Sequence, residues 1–308
     1  MINGIINVYK EAGFTSHDVV AKLRGILKQK KIGHTGTLDP DATGVLPVCL
    51  GKATKLCDML TDKDKTYEAV LLLGTTTDTE DTSGTVLTTK DVTSTKEEIV
   101  EAVLSFIGEY DQVPPMYSAL KVNGKKLYEL AREGIVIERK ARRIHIHNIE
   151  IRDINMETHE VTMSVSCSKG TYIRTLCSDI GEKLGCGGCM KHLIRTKVSR
   201  FDIEDSVTLS QIEQLRDEGK LADHIVSIDD MFASYEALII KEEFSKLIYN
   251  GNIFYEKHVE RKIPPSFHEN GMDSRNVRVY DSENNFIGVF IEEQPGEYKP
   301  VKMFYIKE

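Results

Sequence analysis

The sequence predicts an α+β fold, and three patterns lead to this prediction. Apolar and polar residues alternate through residues 161–167, which is typical of a half-buried strand. Apolar residues recur three and four positions apart in residues 16–27 and 171–185, which is typical of amphipathic helices. Short strand-like segments (NVRVYD, FIGVFIEE and VKMFYIK), separated by SENN and QPGEYKP, predict a small β-rich unit at the end of the chain.

The length and composition indicate a globular protein with a sizeable core. The chain has 308 residues, of which 40% are hydrophobic. A shift in composition near residue 230 predicts two domains, 1–230 and 231–308. No apolar run approaches the roughly 20 residues that span a bilayer, and the first residues do not read as a signal peptide. We therefore expect a cytoplasmic protein that does not engage a membrane.

The first half of the chain alternates helical and extended patterns around a glycine-rich loop. We expect a helix that begins at a capping Ser16 and ends in the basic run KQKK, directly before the loop. Tyr67 is predicted to start a strand that ends at Leu73. Residues 74–85 are predicted to be a polar loop, and the capping box at Thr95 predicts a helix that ends at Gly108.

The second half begins with a basic segment and continues with the most regular helix. Residues 112–143 carry eight Lys or Arg residues and the pair Pro114-Pro115, which predicts an irregular, mobile insertion, either an RNA-binding element or a long connector. The helix closed by Gly185 carries Arg174 on its first turn. Because a helix N-terminus is itself mildly positive, we expect a carboxylate opposite this arginine. A further, acidic helix is predicted over residues 208–219.

Charge is distributed unevenly along the chain. The net charge is −8, yet residues 1–60 hold eight Lys and Arg against five Asp and Glu, and residues 117–200 hold sixteen against nine. A local basic surface is sufficient to bind phosphates. Ordinary solvated faces have the same composition, so charge alone does not identify a partner.

The six cysteines are too few for a disulfide scaffold in a chain of this length. The CGGC run at residues 186–189 raises the question of a zinc or redox site, with His192 and Cys177 near it in sequence. A structural zinc site usually has four ligands, and no second C-x-x-C exists. We therefore expect buried, unpaired thiols and no metal.

The stretch KIGHTGTLDPDATGVLP, residues 31–47, places one acid, Asp39, among glycines, prolines and threonines. A loop with this many turn-forming residues can hold a carboxylate in one place. The chain has no phosphate-loop, HExxH or GxSxG signature, which leaves those three chemistries without support. Asp39, Tyr67 and Arg174 are compatible with a cofactor-free active site, but these residues alone do not specify a reaction.

Four blocks of the chain resemble the TruB family of tRNA pseudouridine synthases. GHTGTLDPDATGVLP closely resembles the hallmark motif of that family, and the blocks that begin at Asp64, Pro114 and Cys167 resemble its other motifs, in the same order. The resemblance covers roughly residues 3–200. It implies a pseudouridine synthase fold with a mixed, largely antiparallel central sheet. It also implies conversion of the T-loop uridine, position 55, of tRNA to pseudouridine without a cofactor.

The resemblance also implies roles for individual residues. Asp39 matches the catalytic aspartate of the family, and Arg174 matches the arginine that pairs with it. Tyr67 matches the tyrosine that stacks on the target base and is a candidate for the late proton transfer. Three further residues match positions that contact the extruded nucleotide, namely His34, Tyr172 and Leu193.

The chemistry of the reaction leads to specific expectations. The bond between uracil and C1′ must break and the ribose must rejoin C5, so the site needs an ionised carboxylate and a closed pocket. We expect Arg174 to lower the pKa of Asp39 and to fix its rotamer. Extrusion of the uridine costs a few kcal/mol of stacking, which His34, Tyr67 and Leu193 could partly offset. Attack at C1′, addition to C6 and removal of a 2′ proton all remain open as the first step.

Two alternatives and two departures accompany this interpretation. The rival enzyme is an RNA-guided pseudouridine synthase that works with protein partners, and the other rival is a catalytically silent RNA-binding protein. The continuation DATGVLPVCLGKATK resembles the stand-alone bacterial form, which needs no obligatory protein partner. Where the family has Lys-Pro-x-Gly, this chain has Lys10-Glu11-Ala12-Gly13. Residues 231–308 resemble the PUA-type RNA-binding domain of the family only in position and strand content.

Overall fold

The computed structural model describes residues 1–122, 124–267 and 275–305. The first ten strands are β1 Gly4–Lys10, β2 Ile32–His34, β3 Thr43–Leu50, β4 Lys65–Leu73, β5 Thr75–Thr77, β6 Val86–Thr89, β7 Gly108–Gln112, β8 Lys121–Val122, β9 Lys125–Lys126 and β10 Arg142–Asn155. The other strands are β11 Glu160–Cys167, β12 Gly188–Val198, β13 Phe201–Asp202, β14 Ile225–Val226, β15 Glu236–Ile240, β16 Phe254–Tyr255, β17 Val259–Ile263, β18 Asn276–Tyr280, β19 Phe286–Gln294 and β20 Glu297–Met303. The helices are α1 Ser16–Ile26, α2 Cys57–Thr61, α3 Lys96–Leu104, α4 Leu127–Arg132, α5 Ile173–Lys183, α6 Leu209–Asp217 and α7 Ser245–Tyr249.

A mixed sheet of ten strands forms the larger part of the molecule. Its main order is β14-β1-β3-β12-β4-β11-β10-β7, with β2 paired to β3 and β13 paired to β12. Only the short β3/β12 contact is parallel among the pairs described for this sheet. The predictions of an α+β fold and of a largely antiparallel sheet are confirmed. The parallel contact joins the end of the glycine-rich loop to β12, at the centre of the sheet.

Helices cover the sheet through apolar faces that the sequence pattern indicated. Ile173, Leu176, Cys177 and Ile180 of α5 are buried against the alternating inner residues of β4 and β11. The buried residues of α1 pack with β1, β3 and α6 in a second cluster. The burial of apolar side chains on one face of each element accounts for the observed layering.

The helices α1, α3 and α6 begin at threonine capping boxes, and one of these corrects a prediction. Thr95 caps α3 and Thr208 caps α6, each through a complete capping box, so the box predicted at Thr95 is confirmed. The cap of α1 is Thr15 and not Ser16. Thr15 and Asp18 form the reciprocal box, while Ser16 lies inside the helix and accepts a hydrogen bond from the Leu38 amide at 2.9 Å. Ser16 therefore contacts the loop that carries Asp39.

Two long strands were not predicted, and both contain bulges. β10 pairs with β11 through register shifts at Ile146/Asn148 and Ile151/Asp153, and β12 pairs with β4 through two further shifts. Each bulge moves the following side chains to the opposite face, which interrupts the alternation that identifies a strand from sequence. Strand β4 begins at Lys65, so Tyr67 is its third residue and not its first.

Two segments predicted as irregular contain short regular elements. The polar loop 74–85 includes β5, which forms a hairpin with β6. The basic segment 112–143 contains the β8/β9 hairpin and helix α4 in its described residues. Asn123, inside the family-like block, lies outside the described residues. The pairs β5/β6 and β8/β9 form two separate two-stranded sheets outside the strand order of the large sheet.

A second sheet, β16-β20-β19-β18-β15-β17, is built from residues 236–303. Its last strand ends at Met303, earlier than the segment VKMFYIK suggested, and residues 306 and 307 of that segment lie outside the described part. One apolar cluster joins the two sheets, because Ile5, Val45 and Val198 of the first sheet pack in one cluster with Val289 of β19. Within the described ranges, the structure contains no helix long and apolar enough to cross a membrane.

Candidate active site

Two buried cations anchor the loop that carries Asp39. Lys10 has no exposed surface, and its Nζ donates to the carbonyls of Ala42 at 2.6 Å, Pro40 at 2.9 Å and Glu11 at 3.1 Å. Arg195 on β12 donates through Nε to the Val45 carbonyl at 2.7 Å. A buried charge is tolerated when its donors are satisfied, and here the backbone of the loop provides the acceptors. The loop geometry thus depends on residues far away in sequence.

Asp39 lies opposite Arg174. The Arg174 Nε is 3.1 Å from Asp39 Oδ2. The arginine side chain is 7% exposed, whereas the aspartate side chain is 43% exposed. The carboxylate is therefore held from the protein side and faces solvent on the other. The expected carboxylate partner of Arg174 is present.

Arg174 is itself oriented by two other segments. Its NH1 donates to the Thr79 carbonyl at 3.0 Å and lies 3.4 Å from Asp81 Oδ2, and its NH2 donates to the Tyr117 carbonyl at 2.8 Å. Because NH1 and NH2 are both hydrogen-bonded, the orientation of the guanidinium is fixed, and so is the direction of its Nε–H bond. Sequence reasoning missed Asp81, which belongs to the segment we interpreted only as a polar loop.

Arg174 lowers the pKa of Asp39, as expected, but the pKa is nevertheless raised above its usual value. Desolvation of the carboxyl is the largest cause, and the Arg174 charge opposes it. Asp81, close to the same guanidinium, also raises the pKa of Asp39. Arg174 thus acts in the expected direction but does not outweigh burial.

Tyr67 and Leu193 lie on the neighbouring strands β4 and β12. Both belong to the same buried cluster, together with Leu38 and Ala42 from the glycine-rich loop. Tyr67 is 9% exposed. Burial raises the pKa of its phenol, and the nearby Asp39 charge acts in the same direction. The structure therefore brings an aromatic ring and an aliphatic side chain together beside the loop.

His34 and Tyr172 lie at the ends of two further elements. His34 ends β2, and its Nδ1 accepts a hydrogen bond from the Gly36 amide at 3.3 Å. Burial lowers the pKa of His34, and the neighbouring His17, in an edge-on ring contact at 5.2 Å, acts in the same direction. Tyr172 is the N-cap of α5, and its amide donates to Gln112 Oε1 at 2.8 Å. Asp39 also raises the pKa of the Tyr172 phenol, although burial is the larger cause.

The cysteines do not contribute to this site. All six are free, and Cys186 and Cys189 of the CGGC run are buried. Burial raises the pKa of Cys189, which disfavours a reactive thiolate. No group of His, Cys, Asp and Glu side chains suited to a metal occurs among the residues described.

The arrangement combines a solvent-facing carboxylate, a fixed guanidinium and an apolar wall with a phenol. Such a site can present an oxygen nucleophile or base to a polar substrate while an aromatic face holds a flat ring. Buried cations from other elements, Lys10 and Arg195, bind the backbone of the loop, and this rigid support favours precise positioning of the acid.

The amino-acid sequence matches two family models. The TruB-family pseudouridylate synthase N-terminal domain matches residues 24–173, and the tRNA pseudouridylate synthase B C-terminal domain matches residues 174–233. The curated tRNA pseudouridine synthase B of Lachnoclostridium phytofermentans is 56% identical over 98% of this chain and 100% of its own length. The protein of the same name from Clostridium kluyveri is 46% identical over 98% of this chain and 100% of its own length.

Two solved structures that share the fold are chains of larger complexes. A chain from a Cbf5-Nop10-Gar1 complex has a TM-score of 0.72 and 26% identity, over 98% of this chain and 85% of that one. A chain from an H/ACA RNP bound to a substrate RNA containing 2′-deoxyuridine has a TM-score of 0.72 and 24% identity, over 99% and 86%. The fold, the four sequence blocks and the full-length relatives agree: the chain belongs to the TruB family of pseudouridylate synthases, which are isomerases.

Proposed function

We propose that this protein converts the T-loop uridine at position 55 of tRNA to pseudouridine, with Asp39 as the catalytic aspartate and without a cofactor. The observation that carries this proposal is the ion pair of 3.1 Å between Arg174 and a partly exposed Asp39. A tRNA substrate is supported by the names of the full-length relatives.

The proposed chemistry assigns each side chain a task. The Asp39 carboxylate acts at the sugar of an extruded uridine while the bond from C1′ to the base breaks, and C1′ then joins C5. Tyr67 stacks on the freed base, and Leu193 closes the apolar side of the pocket. His34 and Tyr172 contact the extruded nucleotide. Arg174 keeps the carboxylate aimed and opposes its protonation.

A cluster of lysines supports contact with a polyanion. Burial is the largest cause that lowers the pKa of Lys55, and the charges of Lys31, Lys52 and Lys302 each lower it further. The Lys55 Nζ donates to the Met303 carbonyl at 2.7 Å. This lysine cluster joins the end of β3 to β20. Like charges held together stabilise a complex with phosphates and cost stability without it. We propose that the lysine cluster and the basic segment 112–143 bind the phosphates of the T-arm.

The remaining assignments follow from this function. We propose residues 1–230 as the catalytic domain and residues 231–308 as a PUA-like RNA-binding domain. Cytoplasmic tRNA would be the substrate, and no obligatory protein partner is needed. An RNA-guided enzyme is disfavoured by full-length similarity to relatives named for tRNA. A silent binding protein is disfavoured because Asp39, Tyr67 and Arg174 are all present.

The test is single-turnover conversion of unmodified tRNA transcript without added cofactor, with the product mapped by chemical labelling of pseudouridine. We expect product at position 55 with the wild type. We expect Asp39→Asn to bind the transcript as the wild type does and to form no product. Product at another position, or full activity of Asp39→Asn, would contradict the proposal.

A further inference from the structure

Arg195 lies inside the site but has no role in the reaction proposed above. It is 1% exposed and lies on β12 directly opposite Tyr67 of β4, and it is also the parallel partner of Gly44 in β3. Three segments of the site therefore meet at one guanidinium. No salt bridge to a carboxylate is described for it in the ranges given above, so its charge is balanced by dipoles.

Most donors of Arg195 are directed at the loop of Asp39. Besides the bond to the Val45 carbonyl, NH2 donates to the Gly36 carbonyl at 3.3 Å and NH1 donates to the Thr37 carbonyl at 3.5 Å. Two of these acceptors lie within three residues of Asp39. A rotation of the guanidinium would thus be transmitted to the backbone that carries the carboxylate.

Arg195 also faces the phenol of Tyr67, its partner across the strand pair. Burial raises the pKa of this phenol and is the larger effect, and the Arg195 charge lowers it. Because a guanidinium has only donors, it presents N–H groups to the phenol oxygen. The charge of Arg195 therefore offsets part of the effect of burial on Tyr67.

We propose that Arg195 is a positioning residue that holds the Tyr67 phenol and the Asp39 loop in one fixed relation, so that the Tyr67 oxygen can take the proton that leaves C5 of the uracil. The inference depends on the proposed function. After C1′ has joined C5, the C5–H bond breaks and its electron pair returns to the ring. The proton goes to the phenol oxygen as the phenol passes its own O–H proton to water, and N1 gains a proton from water. The isomerisation therefore consumes no proton.

A purely structural role would slow every step alike, whereas the proposed role adds a specific effect on the step that breaks the C5–H bond. Lys10 provides the matched control, because it is a second buried cation on carbonyls of the same loop and none of its described hydrogen bonds is to Tyr67. Lys10→Met should loosen the loop and leave the transfer of the C5 proton unchanged. Arg195→Met should loosen the loop and also slow that transfer.

The experiment measures single-turnover conversion of tRNA with C5-protonated or C5-deuterated uridine at position 55. We expect the deuterium isotope effect to rise at least twofold from wild type to Arg195→Met, and to stay at the wild-type value in Lys10→Met. An unchanged isotope effect in a slowed Arg195→Met enzyme would overturn the proposal, as would an equal rise in Lys10→Met.

Thermal unfolding establishes whether each variant is folded. If Arg195→Met does not fold, Arg195→Lys is judged by the same criterion, since it keeps a charge but cannot reach both the loop and the phenol. A wild type that makes no product at position 55 would refute the proposed function and this inference with it. If the wild type forms pseudouridine at position 55, the isotope effect in the variants alone decides the role of Arg195.

Discussion

The guanidinium of Arg174 contacts two carboxylates at once, Asp39 at 3.1 Å through Nε and Asp81 at 3.4 Å through NH1. Asp39 is 43% exposed at its side chain and Asp81 is 16% exposed. The more buried acid and two backbone carbonyls orient the arginine, and the arginine orients the more exposed acid. This chain of contacts joins the helix α5 to two separate loops.

Removal of the Arg174 charge should move the acid limb of the pH profile. Because this charge lowers the pKa of Asp39, we expect Arg174→Met to raise that pKa further. Activity would then be lost at a higher pH as the solution is acidified. The measurement is the single-turnover rate from pH 4 to pH 8, with Arg174→Lys as the charge-retaining control. A limb that stays in place, or that moves to lower pH, would contradict the assignment.

Asp81 should matter for rate although it does not touch Asp39 in the described contacts. A charged hydrogen bond contributes about 1.5–3 kcal/mol, so Asp81→Asn should reduce the single-turnover rate roughly 10-fold to 100-fold. Asp78→Asn is the matched control in the same turn, where the carboxylate accepts from the Thr85 amide at 2.7 Å and does not contact Arg174. Equal effects of the two substitutions would mean that the turn, and not the ion pair, is important.

Lys10 should impose an alkaline limit on activity. Burial lowers its pKa to about 8, and its neutral amine has two N–H groups for three carbonyls. We expect the rate to fall above pH 8 in the wild type and to be less pH-dependent there in Lys10→Arg. The lowered pKa also affects stability. Between pH 8 and 10.5, the pKa of Lys10 in the unfolded chain, only the unfolded chain is protonated at Lys10, so the contribution of Lys10 to the free energy of unfolding increases with pH. Activity lost in parallel with unfolding would count against this explanation.

Gly44 should tolerate no side chain. Its φ is +104°, and an added Cβ would lie 2.2 Å from the Arg195 carbonyl oxygen. Gly134→Ala is the matched control, since its φ of +73° is also left-handed but nothing lies within 4 Å of its Cβ position. Both variants lose about 1 kcal/mol or more of unfolding free energy through strain. In urea unfolding, Gly44→Ala should lose clearly more, and similar losses would refute the close approach.

The lysine cluster should determine part of the salt dependence of RNA binding. Each lost phosphate contact reduces the slope of log K against log salt by about 0.7–0.9. We expect Lys52→Gln/Lys302→Gln to reduce the slope by roughly 1.5, as measured by filter binding of tRNA from 50 to 300 mM salt. Lys96→Gln/Lys220→Gln, at the start of α3 and three residues beyond α6, changes the net charge equally and should leave the slope unchanged. A reduced slope in the control pair would assign the effect to net charge.

Local patterns in the sequence were sufficient for elements that depend on local rules. The alternation in β11, the capping box of α3 and the position of Arg174 in the first turn of α5 each follow from residues within one element. The strands β10 and β12 were missed because bulges interrupt their alternation. Asp81 and Arg195 were missed because neither has a neighbour in sequence that marks it.

The sequence by itself determined the family, the acid in its glycine-rich loop and the arginine that needed a carboxylate. Tertiary structure alone decided which buried cations hold that loop and in which direction the pKa of Asp39 moves. The physical reason is that desolvation and charge act through space. Lys10, Asp39, Asp81, Arg174 and Arg195 come from five separate parts of the chain, and their balance exists only after those parts have packed together.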